Sequence, residues 1–281
     1  MAGTQVSTEP GPAVEQGRRR PRRKAELLSE RQRNHTIMWV LIAAFLLVWQ
    51  LVGQASVAYQ LTIGTPTDVF AWIVDWATGE YSFGWSDLWI TLQEAAFGYL
   101  FGTVIGVALA VLFSTADPLR QLLMPFVAAA NAVPKIAMAP LFVLAFGTTV
   151  SGRAYFVSSL VLFISFFAVF NGLKSIDRKY LDHVAVLGAG WRWTIREVYI
   201  PAIIGWLVTS LRLSWTWAIS AAVFIEYLSS NEGMGAIVAA GQESLAVSTV
   251  IGALAVIAII AKAVDSALVQ IESRMKAWRP A

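Results

Sequence analysis

Between residues 37 and 268 the chain repeats one pattern: a long apolar run, then a short polar break. The runs fall at 37–57, 89–113, 121–146, 154–173, 203–228 and 247–268. Each is near the roughly 20 residues that a helix needs to cross a bilayer's hydrocarbon core. Only 14% of the residues are charged and 57% are hydrophobic, whereas a soluble domain carries about 25% charged residues. Much of the surface must therefore face something other than water. In lipid every backbone polar group has to be satisfied internally, which leaves helices or a closed barrel. A barrel would show alternating segments of roughly ten residues, and none is visible. The expected fold is all-α and integral to the membrane, with six transmembrane helices. Pro134 and Pro140 lie inside the third run and predict a kink or break there, because proline removes a backbone donor and clashes with the preceding turn.

Lys and Arg set the orientation, since they concentrate on the cytoplasmic side. The segment 58–88 holds Asp68, Asp75, Glu80 and Asp87 and no basic residue, and 229–246 holds Glu232 and Glu243 and none. Basic residues gather instead in the tail before the first run, in 174–202 (Lys174, Arg178, Lys179, Arg192, Arg196) and after 268 (Arg274, Lys276, Arg279). Six spans place those three segments on one side, so both termini are expected in the cytoplasm. Arg153 is the one discordant charge. The organisation expected is a disordered basic cytoplasmic tail over 1–36, a transmembrane domain over 37–268 with a cytoplasmic loop at 174–202, and a cytoplasmic tail over 269–281. The run Arg18-Arg19-Arg20-Pro21-Arg22-Arg23-Lys24 reads as an orientation signal before a span, not as a nucleic-acid arm.

There is no cysteine, which excludes disulfides, thiolate metal sites and cysteine nucleophiles. The two histidines, His35 and His183, are far apart in sequence and do not suggest a metal site or the nucleophile–base constellation of an intramembrane enzyme. The chain has no Gly-Lys-Ser/Thr phosphate loop. No catalytic residue, metal or cofactor is expected on it.

The segment 174–202 is the most informative. Asp177 is placed to cap a short helix over 178–187, with Tyr180, Val184 and Leu187 on one face. Gly188 and Gly190 stop it, because glycine tolerates the left-handed conformation at a helix end. A second amphipathic helix follows, with Trp191, Ile195 and Val198 on one side, and Pro201 opens the fifth span, in a first turn where proline is tolerated. Two short helices at an angle make a rigid knob.

From Asp182 to Pro201 the chain reads D-H-V-A-V-L-G-A-G-W-R-W-T-I-R-E-V-Y-I-P. This resembles the loop E-A-A-x3-G-x9-I-x-L-P of permease subunits of binding-protein-dependent (type I) ABC importers. Gly188 and Pro201 are in register; Asp182 stands for the Glu, Val198 for the Ile and Ile200 for the Leu, while His183 and Val184 depart from the two alanines. The run Asn131-Ala-Val-Pro-Lys-Ile-Ala-Met-Ala-Pro140-Leu with Phe146-Gly147, and Arg212, Glu226 and Gly233-Met-Gly235, resemble the nitrate, taurine and sulfonate branch. That branch also includes carriers assigned to riboflavin, thiamine-precursor pyrimidines and aromatic acids. The resemblance covers about residues 60–270. It implies a type I importer permease forming a homodimer, two ATP-binding subunits that hold ATP and Mg, an extracytoplasmic substrate-binding protein, and a bacterial inner membrane. It implies ATPase coupling through Asp182, His183, Val184, Leu187, Gly188, Ala189, Gly190 and Pro201. A proton- or sodium-coupled secondary transporter is the alternative class. It would want paired inverted repeats with discontinuous helices, and only the third span is interrupted.

Charged groups within spans are costly and tend to be functional. Glu94, Asn131, Lys135, Arg212 and Glu226 are therefore the candidates for pathway lining or gating, with interhelical pairing the other reading for Arg212 and Glu226. Lys262 and Asp265, three apart, are expected to pair with each other or with the interface. Gly98, Gly102 and Gly106 share one face of the second span and predict close helix packing. An ionised Glu94 facing the pathway would repel a free anion. That favours a neutral or heterocyclic solute, such as a vitamin precursor, over taurine or nitrate, unless Lys135 pairs with Glu94.

Overall fold

The computed structural model describes residues 22–81, 84–176, 179, 183, 186–188, 190–229 and 231–276. All regular structure among them is helical. In chain order the helices are α1 (Arg22–Gln54), α2 (Val57–Ile63), α3 (Pro66–Thr78), α4 (Trp85–Thr115), α5 (Asp117–Ala132), a 3-10 turn (Lys135–Met138), α6 (Ala139–Phe146) and α7 (Val150–Lys174). After the loop come α8 (Trp191–Thr194), a π turn (Ile195–Tyr199), α9 (Ile200–Ser229), α10 (Met234–Glu243) and α11 (Val247–Lys276). Five helices are long and apolar enough to span a membrane: α1 from Arg33, α4, α7, α9 from Ile203 and α11 to Gln270. The pair α5 and Lys135–Phe146, bent by 83°, makes the sixth when counted as one span. The expected break in the third run is thus present. Pro134 removes the amide that the carbonyl of Ala130 would have used, and α5 ends at Ala132.

The chain divides into two units, residues 1–51 and 52–281. Among the described residues the first consists of α1 as far as Leu51. Its side chains from Ile37 to Leu47 are exposed around the whole circumference, as fits a helix that is apolar all round and made for lipid or a partner. The helix begins at Arg22, so residues 22–36, expected as disordered tail, are helical; Ala25, Glu26, Leu27 and Leu28 are good helix formers. At the other end α11 runs to Lys276, past the expected limit of 268.

The second unit is built on α4, α7, α9 and α11. Gly98, Gly102 and Gly106 let α4 lie directly on α7, as their spacing predicts. A Cβ at Gly98 would sit 2.8 Å from the Ala154 carbonyl oxygen, one at Gly102 2.6 Å from that of Ser158, and one at Gly106 2.5 Å from that of Leu162. The partners also recur every four residues, so two backbones run in contact along one ridge. Two aromatic-rich clusters fill the interior. One joins Trp72, Phe156, Trp215, Ile225 and Met234, and the other joins Phe113, Phe166, Val169 and Phe170. The acidic segments 58–88 and 229–246 are more ordered than a loop reading suggests. Thr65 caps α3 by accepting from Asp68 N at 3.2 Å, and α3 buries Val69, Trp72 and Trp76, three and four apart on one face.

Candidate functional site

Three consecutive amides at the start of α10 are held by side chains of α4 and α9. Gly233 N donates to Asp87 Oδ1, Met234 N to Thr91 Oγ1 and Gly235 N to Glu226 Oε2, each at 2.9 Å. The Thr91 hydroxyl donates to the Glu226 carboxylate, 2.8 and 2.9 Å from its two oxygens. The other Asp87 oxygen accepts from Gly84 N at 3.1 Å. The first amides of a helix lack intrahelical acceptors, and negative groups are favoured there. Glu226 is 0% exposed. Gly233 adopts φ 94°, a region open to glycine and strained for other residues, and a Cβ there would run into the Glu226 carboxylate. Glu226, a pathway candidate from sequence, is placed as the clasp of α10.

Glu94 and Arg153 form a buried ion pair between α4 and α7. Arg153 Nε donates to Glu94 Oε1 at 2.6 Å and Nη2 approaches the same oxygen at 2.6 Å, with side-chain exposures of 2% and 0%. This accounts for the charge at Arg153 that orientation alone leaves discordant. It also removes the ground for expecting a neutral solute. Glu94 faces α7, not an open pathway, and its charge is met by Arg153, not Lys135.

Lys135 stands at the break of the third span. Its Nζ donates to the Asn131 carbonyl oxygen at 2.8 Å and to Asn131 Oδ1 at 2.9 Å, and lies 4.5 Å from the centroid of the Phe163 ring. The break leaves the last carbonyls of α5 without amides, and the lysine covers one of them. The ammonium borders a cavity of about 410 Å³ lined by Asn131, Lys135, Phe163, Phe167 and Trp217, with Ile136, Leu160 and Ile164 completing the wall. A larger groove of about 610 Å³ beside Phe97, Phe101 and Tyr155 is lined by apolar and hydroxyl side chains. Arg212 of α9 donates from Nε to Asp265 Oδ1 of α11 at 2.7 Å, and Lys262 Nζ to Asp265 Oδ2 at 2.8 Å. The expected Lys262–Asp265 pair thus gains a third member from α9.

Residues 102–277 match the profile of the family described as the binding-protein-dependent transport system inner membrane component. The chain belongs to that family. Among its relatives are a Bacillus subtilis protein designated as an aliphatic sulfonates transport permease, SsuC, 24% identical over 92% of this chain and 95% of its own. The taurine transport system permease protein TauC of Escherichia coli is 24% identical over 84% of this chain and 87% of its own. The formylaminopyrimidine transport permease protein ThiX of Halalkalibacterium halodurans is 29% identical over 52% and 58%. In fold, the chain resembles a chain of the MetNI methionine ABC transporter, solved in inward-facing conformations. The TM-score is 0.56 with 18% identity, covering 65% of this chain and 91% of that one. This protein is accordingly a multi-pass permease of the ABC importer class.

Within the binding-protein-dependent permease, residues 174–202 are the segment expected to meet an ATPase. Of the coupling candidates, Asp182, Val184 and Ala189 lie outside the described residues, as does the proposed cap Asp177. Gly188 has φ 75°, the left-handed conformation expected at a helix end. Leu187 N donates to the His183 carbonyl oxygen at 3.1 Å, and His183 Nδ1 lies 2.8 Å from that of Lys179. Val186 and Leu187 are 87% and 82% exposed. After Gly190 the chain is helical through α8 and the π turn into α9, so Pro201 sits in the first turn of α9 without a break before it. Ile200 N donates to the Ile195 carbonyl oxygen, five residues back. The wider turn accommodates the proline ring and its missing donor.

The structure therefore brings Asn131 and Lys135 together at one cavity, places Glu94 and Glu226 beside each other and Arg153 in one buried cluster, and puts Arg212 in a separate contact with Asp265. Sequence reasoning passed over Arg153, Phe163, Phe167 and Trp217 as site residues. Arg153 carried a signal, being a charge on the wrong side; the aromatics carried none among the many in this chain.

Proposed function

We propose that two copies of this permease form the pathway of an importer, with two ATP-binding subunits on the cytoplasmic side and an extracytoplasmic binding protein delivering a small organic solute. The observation that carries this reading is the break at Val133–Pro134 with half-buried Lys135 on an open face. Irregular backbone and a lysine within a span are tolerated only against protein or a water-filled cavity, not against lipid. The face of Asn131, Lys135 and Trp217 is therefore the pathway side, closed by the second copy. Both termini and the segment 174–202 lie in the bacterial cytoplasm, on the charge asymmetry described above. ATP and Mg belong to the partner ATPase, and this chain does no covalent chemistry.

Coupling runs through the knob that ends at Gly188. The apolar pair Val186 and Leu187 is almost fully exposed, which suits insertion into a groove on the ATPase, and Asp182 to Pro201 supply the frame. Gly188→Trp tests this. A residue with a Cβ is strained at φ 75°, and a large side chain obstructs docking. Membrane insertion is expected to be normal while uptake and substrate-stimulated ATP hydrolysis are lost. Uptake at the wild-type rate with normal expression would defeat the coupling assignment.

A further inference from the structure

The named solutes of the relatives fall into two classes, aliphatic sulfonates and taurine on one side and a formylaminopyrimidine on the other. The Lys135 cavity discriminates between them. Its volume of about 410 Å³ lies in the range of small-molecule sites, which are mostly apolar with a few placed polar groups. Three of its walls are aromatic, from Phe163, Phe167 and Trp217, and none of the described residues lining it is acidic. The ammonium has three donors. Two are directed at Asn131 oxygens, and among the described residues no acceptor meets the third, which leaves the Phe163 face as the other contact. Asn131 and the Phe163 ring fix the position of the charge without cancelling it, since both act as dipole or quadrupole. Glu94, the carboxylate that the sequence offers as a partner for Lys135, is committed to Arg153.

Resting on the pathway reading above, we propose that this cavity is a selectivity site within the permease itself. It takes a small organic anion, with the anionic group on Lys135 Nζ and the apolar or aromatic body against Phe163, Phe167 and Trp217. A neutral solute leaves a cation uncompensated in an apolar wall, and a cationic one is repelled. The permease thus adds a charge filter behind the binding protein.

The absence of cysteine gives a clean test. Single Ile136→Cys and Ile164→Cys variants, both at the cavity wall, are treated in membrane vesicles of either orientation with two charged thiol reagents. One is a negatively charged methanethiosulfonate ethylsulfonate, the other its positively charged trimethylammonium counterpart, with rates normalised to those on free 2-mercaptoethanol. The negative reagent is expected to react about a hundredfold faster than the positive one, because a single cation some 6 Å away at an effective dielectric constant of about 40 speeds the anion about tenfold and slows the cation about tenfold. Lys135→Gln abolishes the preference and Lys135→Arg keeps it. Benzenesulfonate at millimolar concentration slows labelling, whereas benzyl alcohol does not. Labelling by both reagents without preference or protection overturns the charge filter while leaving the pathway assignment standing. So does equal protection by both solutes. Suppression of labelling by phosphatidylglycerol in reconstituted vesicles, without added solute, assigns the cation to a lipid headgroup and also overturns the proposal. Failure of either reagent to reach both positions in either orientation overturns the pathway assignment, and the filter with it.

Discussion

Arg153→Met separates a structural ion pair from a wet pathway lining at Glu94. In the structure Glu94 and Arg153 are 0% and 2% exposed, and two Arg153 nitrogens each lie 2.6 Å from one Glu94 oxygen. Removing one partner leaves a buried charge without its counterpart, which costs about 3–5 kcal/mol. Glu94→Leu should also destabilise, by removing the carboxylate that the guanidinium contacts directly, and by less, because Glu226 lies close enough to act on the same arginine. The double variant Glu94→Leu/Arg153→Met removes both charges and keeps similar volumes. Such replacements of buried pairs are often neutral or stabilising, so it should return near the wild type, far from the sum of the single effects. The assay is thermal unfolding in detergent, followed by the fluorescence of the 12 tryptophans. At about 2–4 °C per kcal/mol for a chain of this size, Arg153→Met should lose roughly 6–20 °C and Glu94→Leu less. If Glu94 instead faced water in a transport pathway, solvent would replace the arginine and Arg153→Met would cost well under about 1 kcal/mol. A small loss for that variant, or simple additivity in the double one, would refute the buried-pair reasoning.

The α4–α7 ridge predicts that Gly102→Leu prevents stable folding or lowers the melting temperature steeply, because even a Cβ would lie 2.6 Å from the Ser158 carbonyl. Gly102→Ala should be intermediate, and detergent-stable yield measures both. At the α10 clasp, Thr91→Val keeps the shape but leaves Met234 N and the Glu226 carboxylate short of a partner. A cost of about 2–4 kcal/mol is expected, with Thr91→Ser near neutral in the same unfolding assay. For orientation, single cysteines at 70 and 238 should react with an impermeant thiol reagent in intact cells, while one at 190 should not; labelling at 190 from outside overturns the topology.

Much of the architecture was legible because lipid imposes it. Five of the six apolar stretches became single long helices within a few residues of the expected bounds, and the third became the bent pair broken at Pro134. The three glycines of α4 gave a contact ridge, since small residues are how helices in lipid approach each other. Gly188 gave a left-handed helix end. What the sequence concealed is which faces meet. In water a helix announces its buried side by amphipathicity; in a bilayer both the lipid side and the protein side are apolar. Nothing local could say that Arg153 meets Glu94, 59 residues away in sequence, or that Trp217 joins Phe163 around Lys135. The helices α3 and α10 escaped for a related reason. Their acidic flanks read as external loop, while the tryptophans that anchor α3 and the side chains that hold α10 act through distant partners.

The intramembrane charges singled out from sequence divide by the kind of partner they find. Glu94 is met by a guanidinium, Arg212 by the Asp265 carboxylate, and Glu226 by a hydroxyl and a helix N-terminus. In each, one helix is tied to another and the site is closed or shared. Lys135 is met by two neutral oxygens of Asn131 and the face of Phe163. A contacting opposite charge offsets much of a group's field at a distance, as Arg153 does for Glu94 and Asp265 for Arg212, whereas dipoles fix a cation in place and leave most of its field intact. Of these four groups, Lys135 is the one that lines the cavity of about 410 Å³, so on the pathway proposed above the sign of the solute is to be read at that residue and not at Glu94.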